Sequence, residues 1–462
     1  MSLNKLKNSG LVKKIRSEFS KDAVVAGTVK LASGNLIGQA INFIASPILS
    51  RLYDEDVFGI YTIFVSILFI AGTLMMGQYD QAIPVESEFS GTKSLMKLCR
   101  HISYIFTPLL MVGSFLYINW QGIYDNPTEM IGFVAAITLS GYCQTVANRQ
   151  GKVLIKYKKY KAQSISMILY TSSYVLAALT LKLVDDSINA LIYAYCISEI
   201  VTCVVRTISV NRIEGWSEPY KNCEKEMMIK HSRFPRYTVA STFLNSFSTN
   251  MPSLVITNLF GTALAGVFGM ANKIVGIPFS LISTSVSSVF YQEASNLYNK
   301  SEDVSNIGNS SMRKLTALSV IPMTALMALG DILFRIVLGA QWEESGRVCQ
   351  MLAIWMSVVF VVSPLMSIYN IKQKQYVTIF INLALLLFRA GALFLGGLII
   401  KDFSKAMLLY SIAGVAVWVV VYTMVSREIK LNLKSNALYF LKLYIPCIAA
   451  MIGLRYLLLL IF

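Results

Sequence analysis

Five cations fall inside apolar runs of this 462-residue chain: Lys30, Lys273, Arg389, Lys442 and Arg455. An ionisable side chain at membrane depth costs about 2.5 kcal/mol or more, so each must reach water, find a partner or meet a ligand. Arg389 sits near the middle of the helix predicted over 376–400, on a stripe with Thr378, Asn382 and Gly396, too deep to snorkel. In a wet cavity its planar fork of donors suits phosphate or carboxylate; the structural competitor is an ion pair with an acid on another helix. Lys273 shares a face with Gly276, Ser280, Thr284, Ser287 and Tyr291, and either lines a cavity or snorkels to the outer surface. Lys30 is a turn from the cytosolic end and off the neighbouring polar stripe, which favours snorkelling over a cavity role. Lys442 and Arg455 lie toward opposite ends of the last helix and each reaches its nearer interface. Among acids, Glu199 lies mid-helix beside Thr202 and Arg206, where a buried carboxylate either carries a coupling proton or neutralises a base. Asp80 falls near the cytosolic end of its helix, at an inner gate or in water, and Asp331 has Arg335 one turn onward as a same-helix partner.

Uncharged polar groups form a second pattern. Thr28, Asn35, Gln39, Asn42, Ser46 and Ser50 fall on one helical stripe roughly 80° wide, with Ile, Leu, Ala and Phe around the rest. Amides and hydroxyls facing lipid would be unsatisfied, so such a stripe points into a bundle or a water-filled cavity. Sliding the first half of the chain by 207 residues lays RLYDEDVFGIY (51–61) over NLFGTALAGVF (258–268), and Asn35, Gln39, Asn42, Ser46 and Ser50 over Thr242, Ser246, Thr249, Ser253 and Thr257. This predicts an internal duplication with a cavity between the halves. Arg51, Asp80 and Glu199 are the candidates for gating or ion coupling.

These residues must be carried by membrane helices. The chain is 55% hydrophobic and 14% charged, against the usual quarter charged for soluble proteins. Twelve spans are predicted at 25–50, 60–84, 101–121, 128–149, 162–183, 188–208, 237–258, 266–291, 314–338, 349–371, 376–400 and 404–426, with a thirteenth apolar run at 437–462. The fold class is therefore all-α integral membrane, divided into a cytosolic basic tail (1–24), an N-terminal six-helix lobe (25–208), a linker (209–236), a C-terminal six-helix lobe (237–426) and the additional helix. With the N-terminus inside, thirty Lys/Arg fall on the cytosolic side and six outside, which accounts for the net charge of +16 without nucleic acid. The seven Cys lack metal-ligand spacing, and the two histidines, His101 and His231, are far apart. No P-loop, HExxH, GxSxG or dinucleotide fingerprint is present, so the expectation is no enzyme, no catalytic residue, no metal and no cofactor. Trp120 and Trp342 read as interfacial belt residues.

The run from Gly38 and Gln39 through SPILSRLYDEDVFGIY to QYDQAIPV resembles the polysaccharide transporter family, the O-antigen and capsule flippases grouped with multidrug-and-toxin extrusion proteins and the peptidoglycan lipid flippase. The matching residues are Gly38, Gln39, Ser46, Pro47, Arg51, Leu52, Tyr53, Phe58, Gly59, Tyr61, Asp80, Ala82 and Ile83. The resemblance implies two six-helix lobes around a V-shaped cavity in the bacterial inner membrane, and a substrate of oligosaccharide on undecaprenyl diphosphate passed to the periplasmic leaflet. Arg389 and Lys273, with Lys30 behind them, would then meet the diphosphate; Asn35, Gln39, Asn42, Asn382, Thr242, Ser246 and Thr249 would meet sugar hydroxyls. Coupling to an H+ or Na+ gradient, and association with a polymerase and chain-length proteins, belong to the same expectation. The chain departs from the family's usual helix count by ending after a thirteenth helix. A multidrug or cation exporter would want an acidic, aromatic cavity, and a membrane glycosyl- or acyltransferase an acid/His cluster.

Overall fold

The computed structural model describes residues 23–184 and 187–461, all helices and short connections. We number the helices α1 (Ala23–Leu52), α2 (Glu55–Gly72), α3 (Phe89–Gln121), α4 (Pro127–Lys156), α5 (Tyr160–Val184), α6 (Ala190–Asn211), α7 (Glu224–Lys230), α8 (Val239–Phe260), α9 (Thr262–Asn299), α10 (Ser305–Val337), α11 (Glu343–Val362), α12 (Ile368–Ile371), α13 (Tyr376–Phe394), α14 (Phe403–Ile429) and α15 (Leu433–Ile461). Caps explain several starts: Asp54 and Asp402 accept from backbone N–H groups of Val57 and Lys405, and Asn126 precedes Pro127 at the head of α4.

Among the described residues, eleven helical segments are long and apolar enough to cross a membrane, and this is a multi-pass membrane protein. The two long helices that fall short are α1 and α8. They are the two carrying the polar stripes, so the same side chains that lower their hydropathy mark where the interior is wet.

Two boundaries differ most from expectation. The span predicted at 60–84 ends at Gly72; turns then lead to a 3-10 segment at Tyr79–Ala82. Gly77 (φ 55°) and Gln78 (φ 58°) are both left-handed, which no α-helix accommodates, and Asp80 consequently lies beyond the end of its predicted helix. In the other direction, α3 begins twelve residues before the predicted 101, so Lys93, Lys97 and Arg100 are helical.

Helices α1 and α3 to α6 pack chiefly on one another, as do α8 to α15, whereas α2 packs mainly across, on α9 and α8, and supplies the strongest contacts between the two sets. At the end of the molecule away from the basic loops, called here the far end, Cβ atoms built on Gly59 and Gly266 would each sit 2.0 Å from a carbonyl oxygen, of Thr262 and Glu55 respectively. Beside them Thr62 abuts Gly269. A shift of 207 residues exchanges the first pairs and maps Thr62 onto Gly269, so the contact is reciprocal. Next to it, Ser50 Oγ donates to Leu338 O (2.9 Å), Arg51 Nη2 to Ile336 O (3.0 Å) and Trp342 Nε1 to Ser50 O (2.6 Å). Trp342 is thus fully buried, edge-on to Phe58, and not a belt residue; Trp120 is exposed.

The last helix, α15, packs on α10 and is pinned there by an ion pair: Arg455 Nη2 reaches Asp331 Oδ2 at 2.5 Å and Nη1 reaches Oδ1 at 2.6 Å. This corrects two expectations. Asp331 is not paired along its own helix, because Arg335 turns to Glu343 (3.9 Å), and Arg455 does not snorkel. Replacing Arg455 by Met should leave a largely buried carboxylate without its countercharge, held only by Gln350 and the Ile332 N–H, and cost about 3 kcal/mol, whereas the Asp331→Leu/Arg455→Met pair should melt near the wild type. Thermal unfolding of the purified protein in detergent distinguishes the two outcomes.

Candidate functional site

The polar residues of α1 open onto a cleft enclosed by the N-terminal helices. Its inner part, about 280 Å3, is lined by Asn35, Gln39 and Asn42 of α1, Gln144 and Asn148 of α4, Tyr170 and Thr171 of α5, and Glu199, Thr202 and Arg206 of α6. A second chamber of about 500 Å3 shares Gln144, Asn148, Met167 and Arg206 with the first and extends toward the basic end, past Gln163, Lys152, Gln81 and Asp80. The two form one wet passage inside a bundle of apolar helices.

Arg206 is the hinge of this cleft. Its residue is 8% exposed, Nε donates to Ser166 Oγ and Nη1 to Ala147 O, both at 2.9 Å, so one guanidinium ties α6 to α5 and α4. Tyr195, Gln144 and Arg206 face the Glu199 carboxylate. The opposed charges seven residues apart on one helix face keep the interior near neutral while leaving strong hydrogen-bonding groups at the cavity wall. Two buried oxygens along the wall, Asn42 Oδ1 and Gln163 Oε1, have no hydrogen-bond partner among the described residues. A buried amide oxygen left unmade costs about 1–3 kcal/mol, so each asks for water or a ligand.

The other predicted residues divide. Gln39 meets the C-terminal helices directly, accepting from Ser280 Oγ at 2.9 Å. Ser246 donates to Phe69 O (2.8 Å), joining α8 to α2, while Thr242 and Thr249 spend their hydroxyls on carbonyls of their own helix. Lys273 is half-buried on α9, without an ion-pair partner among the described residues. Arg389 is only 6% exposed: its guanidinium lies 3.9 Å from the centre of the Trp355 ring and 5.2 Å from that of Tyr410, and Nε and Nη2 have no hydrogen-bond partner among the described residues. It packs within the C-terminal helices and does not line the N-terminal cleft with Asn35 and Gln39; Asn382, half-buried on the same helix, does not line it either. The side chain of Lys30 lies outside the described residues.

Arg206 and Lys152 are the cations that reasoning from sequence missed. Position along the chain put both among loop charges, yet both belong to helices and line the cleft. The available signal was the spacing of Glu199, Thr202 and Arg206 on one face. No group of three or more His, Cys, Asp or Glu side chains able to hold a metal gathers among the described residues.

At the basic end the linker is fastened by Glu86. Its carboxylate accepts from Lys230 Nζ (2.9 Å) and lies 2.8 Å from His231 Nε2, and its Oε1 receives the backbone N–H groups of Ser87 and Glu88. Burial pushes this carboxyl up, but His231, Lys230 and the Glu88 N–H outweigh it and hold it at about 2, against an ordinary 4.5. A depressed pKa adds stability above the unfolded value, near 4.5, and loses it as pH falls through about 2. Limited proteolysis within 215–230 should therefore stay slow down to about pH 5 and accelerate below it, and Glu86→Gln should bring the faster cleavage to neutral pH.

The family described as polysaccharide biosynthesis protein matches residues 48–347, well over half of the chain and inclusive of α2 to α6 with their cleft residues. The chain belongs to this family. Among curated relatives, the lipopolysaccharide biosynthesis protein WzxC of Escherichia coli K12 is 19% identical over 381 residues, covering 82% of this chain and 76% of WzxC. The succinoglycan biosynthesis transport protein ExoT of Rhizobium meliloti is 20% identical, over 68% of this chain and 62% of ExoT. Among solved structures, the lipid II flippase MurJ in an inward closed conformation superposes with a TM-score of 0.71 at 13% identity, over 94% of this chain and 92% of MurJ. An inward-facing multidrug resistance MATE transporter of the MOP superfamily gives 0.67 at 12% identity, over 88% and 99%. The fold is that of these transporters.

Proposed function

We propose that this family member turns undecaprenyl-diphosphate-linked oligosaccharides from the cytosolic to the periplasmic leaflet of the bacterial inner membrane, for O-antigen, capsule or exopolysaccharide assembly. The observation that carries the reading is the amide- and arginine-lined passage running from the basic end into the N-terminal helices, in a molecule whose far end is closed by the Gly59–Gly266 contact. Amides and hydroxyls suit sugar; Arg206 and Lys152 suit a diphosphate; the polyprenyl tail stays in lipid. The basic end faces the cytosol. Reciprocity of the far-end contact under the 207-residue shift supports two lobes related by an axis along the membrane normal, rocking about it. Glu199, opening onto the cleft, is the group through which a coupling proton acts. Polymerase and chain-length proteins take the product.

The test uses proteoliposomes holding the purified protein and a fluorescent oligosaccharide on undecaprenyl diphosphate. Protection of the label from an external quencher should change at a rate set by the protein and fall when Arg206 and Lys152 are replaced. Absence of movement for several lipid-linked glycans, together with efflux of cationic dyes, would overturn the reading in favour of an exporter.

A further inference from the structure

A separate basic pocket of about 560 Å3 lies outside the cleft, between α3, α4 and the linker at the basic end. Lys93, Lys97 and Arg100 come from the first four turns of α3, Arg149 and Gln150 from α4, and Trp216 to Tyr220 close it from the linker side. Arg149 decides its chemistry. The residue is 7% exposed, and Nε and Nη1 are buried with no hydrogen-bond partner among the described residues. A guanidinium held this way calls for an anion. The acids nearby do not supply one: Glu218, which lines the pocket from the linker, is exposed, Glu224 is engaged by Lys97 (2.8 Å) and His101 (2.9 Å), and neither Arg100 nor Arg149 has an acidic ion-pair partner among the described residues.

The roof is built rather than accidental. Lys93 Nζ donates to Glu218 O at 2.6 Å and lies 4.8 Å and 5.0 Å from the ring centres of Phe89 and Tyr220, fixing the linker over the pocket. Directly down α3 from Arg100, Tyr104, Ile105 and Leu109 are exposed, a lipid-facing apolar strip that starts where the cations stop. A headgroup in the pocket would leave its acyl chains along that strip.

We propose that this pocket is a binding site for a phosphate group, supplied by an acidic phospholipid of the adjoining leaflet, with Arg149 as its inner ligand and Arg100 at its mouth. The site is distinct from the transport cleft, and its test reads binding without transport. Purified wild type and an Arg149→Gln/Arg100→Gln variant are exchanged into nanodiscs of phosphatidylcholine with phosphatidylglycerol, and the lipid retained after mild delipidation is quantified by mass spectrometry. Inorganic pyrophosphate binding is measured by calorimetry on the same samples. Wild type should retain phosphatidylglycerol over phosphatidylcholine, the variant should lose that preference about tenfold, and Lys401→Gln at the far end should keep it, with all three melting alike. Pyrophosphate binding that needs Arg149 without lipid retention supports the phosphate site and makes its source soluble. Equal retention by variant and wild type, or no anion retained by either, overturns the proposal. Should the double variant melt early, Arg100→Gln alone, at an exposed position, carries the same comparison.

Discussion

Arg206→Gln should lower glycan transfer at least a hundredfold while the protein still reaches the membrane. The guanidinium makes two hydrogen bonds across three helices and faces Glu199, and a charge-assisted bond is worth about 1.5–3 kcal/mol, or ten- to more than a hundredfold in an equilibrium. Two effects contribute, and a second variant separates them. Removing Arg206 alone strands the Glu199 carboxylate in a buried wall, which destabilises the bundle; Glu199→Gln/Arg206→Gln removes both charges and should recover most of the thermal stability. If the arginine is also a ligand for the diphosphate, the double variant melts normally and transports well below Glu199→Gln alone, in which only the coupling carboxylate is lost. Arg206→Lys adds a geometric arm: it keeps the charge but cannot span Ser166 Oγ and Ala147 O together, so transfer should fall by about tenfold without reaching the level of the Gln variant. Transfer equal to wild type in the stable double variant would remove Arg206 from the site. Surface glycan measured in a strain lacking its own flippase gives the transport readout.

How much of this was legible before the coordinates follows from what periodicity can report. The thirteen apolar runs each correspond to a long helix, because an apolar span long enough to cross a bilayer has no alternative to α-structure there. The α1 stripe pointed into a cavity for the same reason, and Asn35, Gln39 and Asn42 do line one. Pairings between helices were not legible. Nothing in one-dimensional spacing distinguishes Arg335 from Arg455 as the partner of Asp331, since that choice depends on α15 lying against α10. Charge counting also assigned Arg149, Lys152 and Arg206 to loops: it weighs a cation by its position in the chain, while helices extending past the bilayer and bent back by a linker bury some of those cations. Arg389 shows the complementary limit. Its depth was read from the sequence, but the aromatic clamp of Trp355 and Tyr410 comes from two other helices.

The closed far end makes a prediction about the cycle. Gly59→Val should drive α2 from α9, since even a Cβ at 59 would sit 2.0 Å from the Thr262 carbonyl oxygen, a backbone atom that cannot swing aside. In a protein with a single packing arrangement this overlap would cost several kcal/mol and the variant would fail to fold. A transporter with two arrangements has another outlet: the helices separate at the far end, the Ser50–Leu338 and Trp342–Ser50 hydrogen bonds release, and the molecule settles in the opposite state. Gly59→Val should then be stably inserted, inactive by tenfold or more, and newly accessible at the far end. A cysteine in place of Ser50, which is fully buried here, reports it: membrane-impermeant maleimide should label it slowly in an otherwise wild-type chain and rapidly beside Gly59→Val. Reciprocity of the contact demands the same from Gly266→Val, whose Cβ would meet the Glu55 carbonyl oxygen. Rapid labelling with one glycine variant and not the other would mean the two helices are not equivalent partners about a common axis; slow labelling with both would mean the far end does not open.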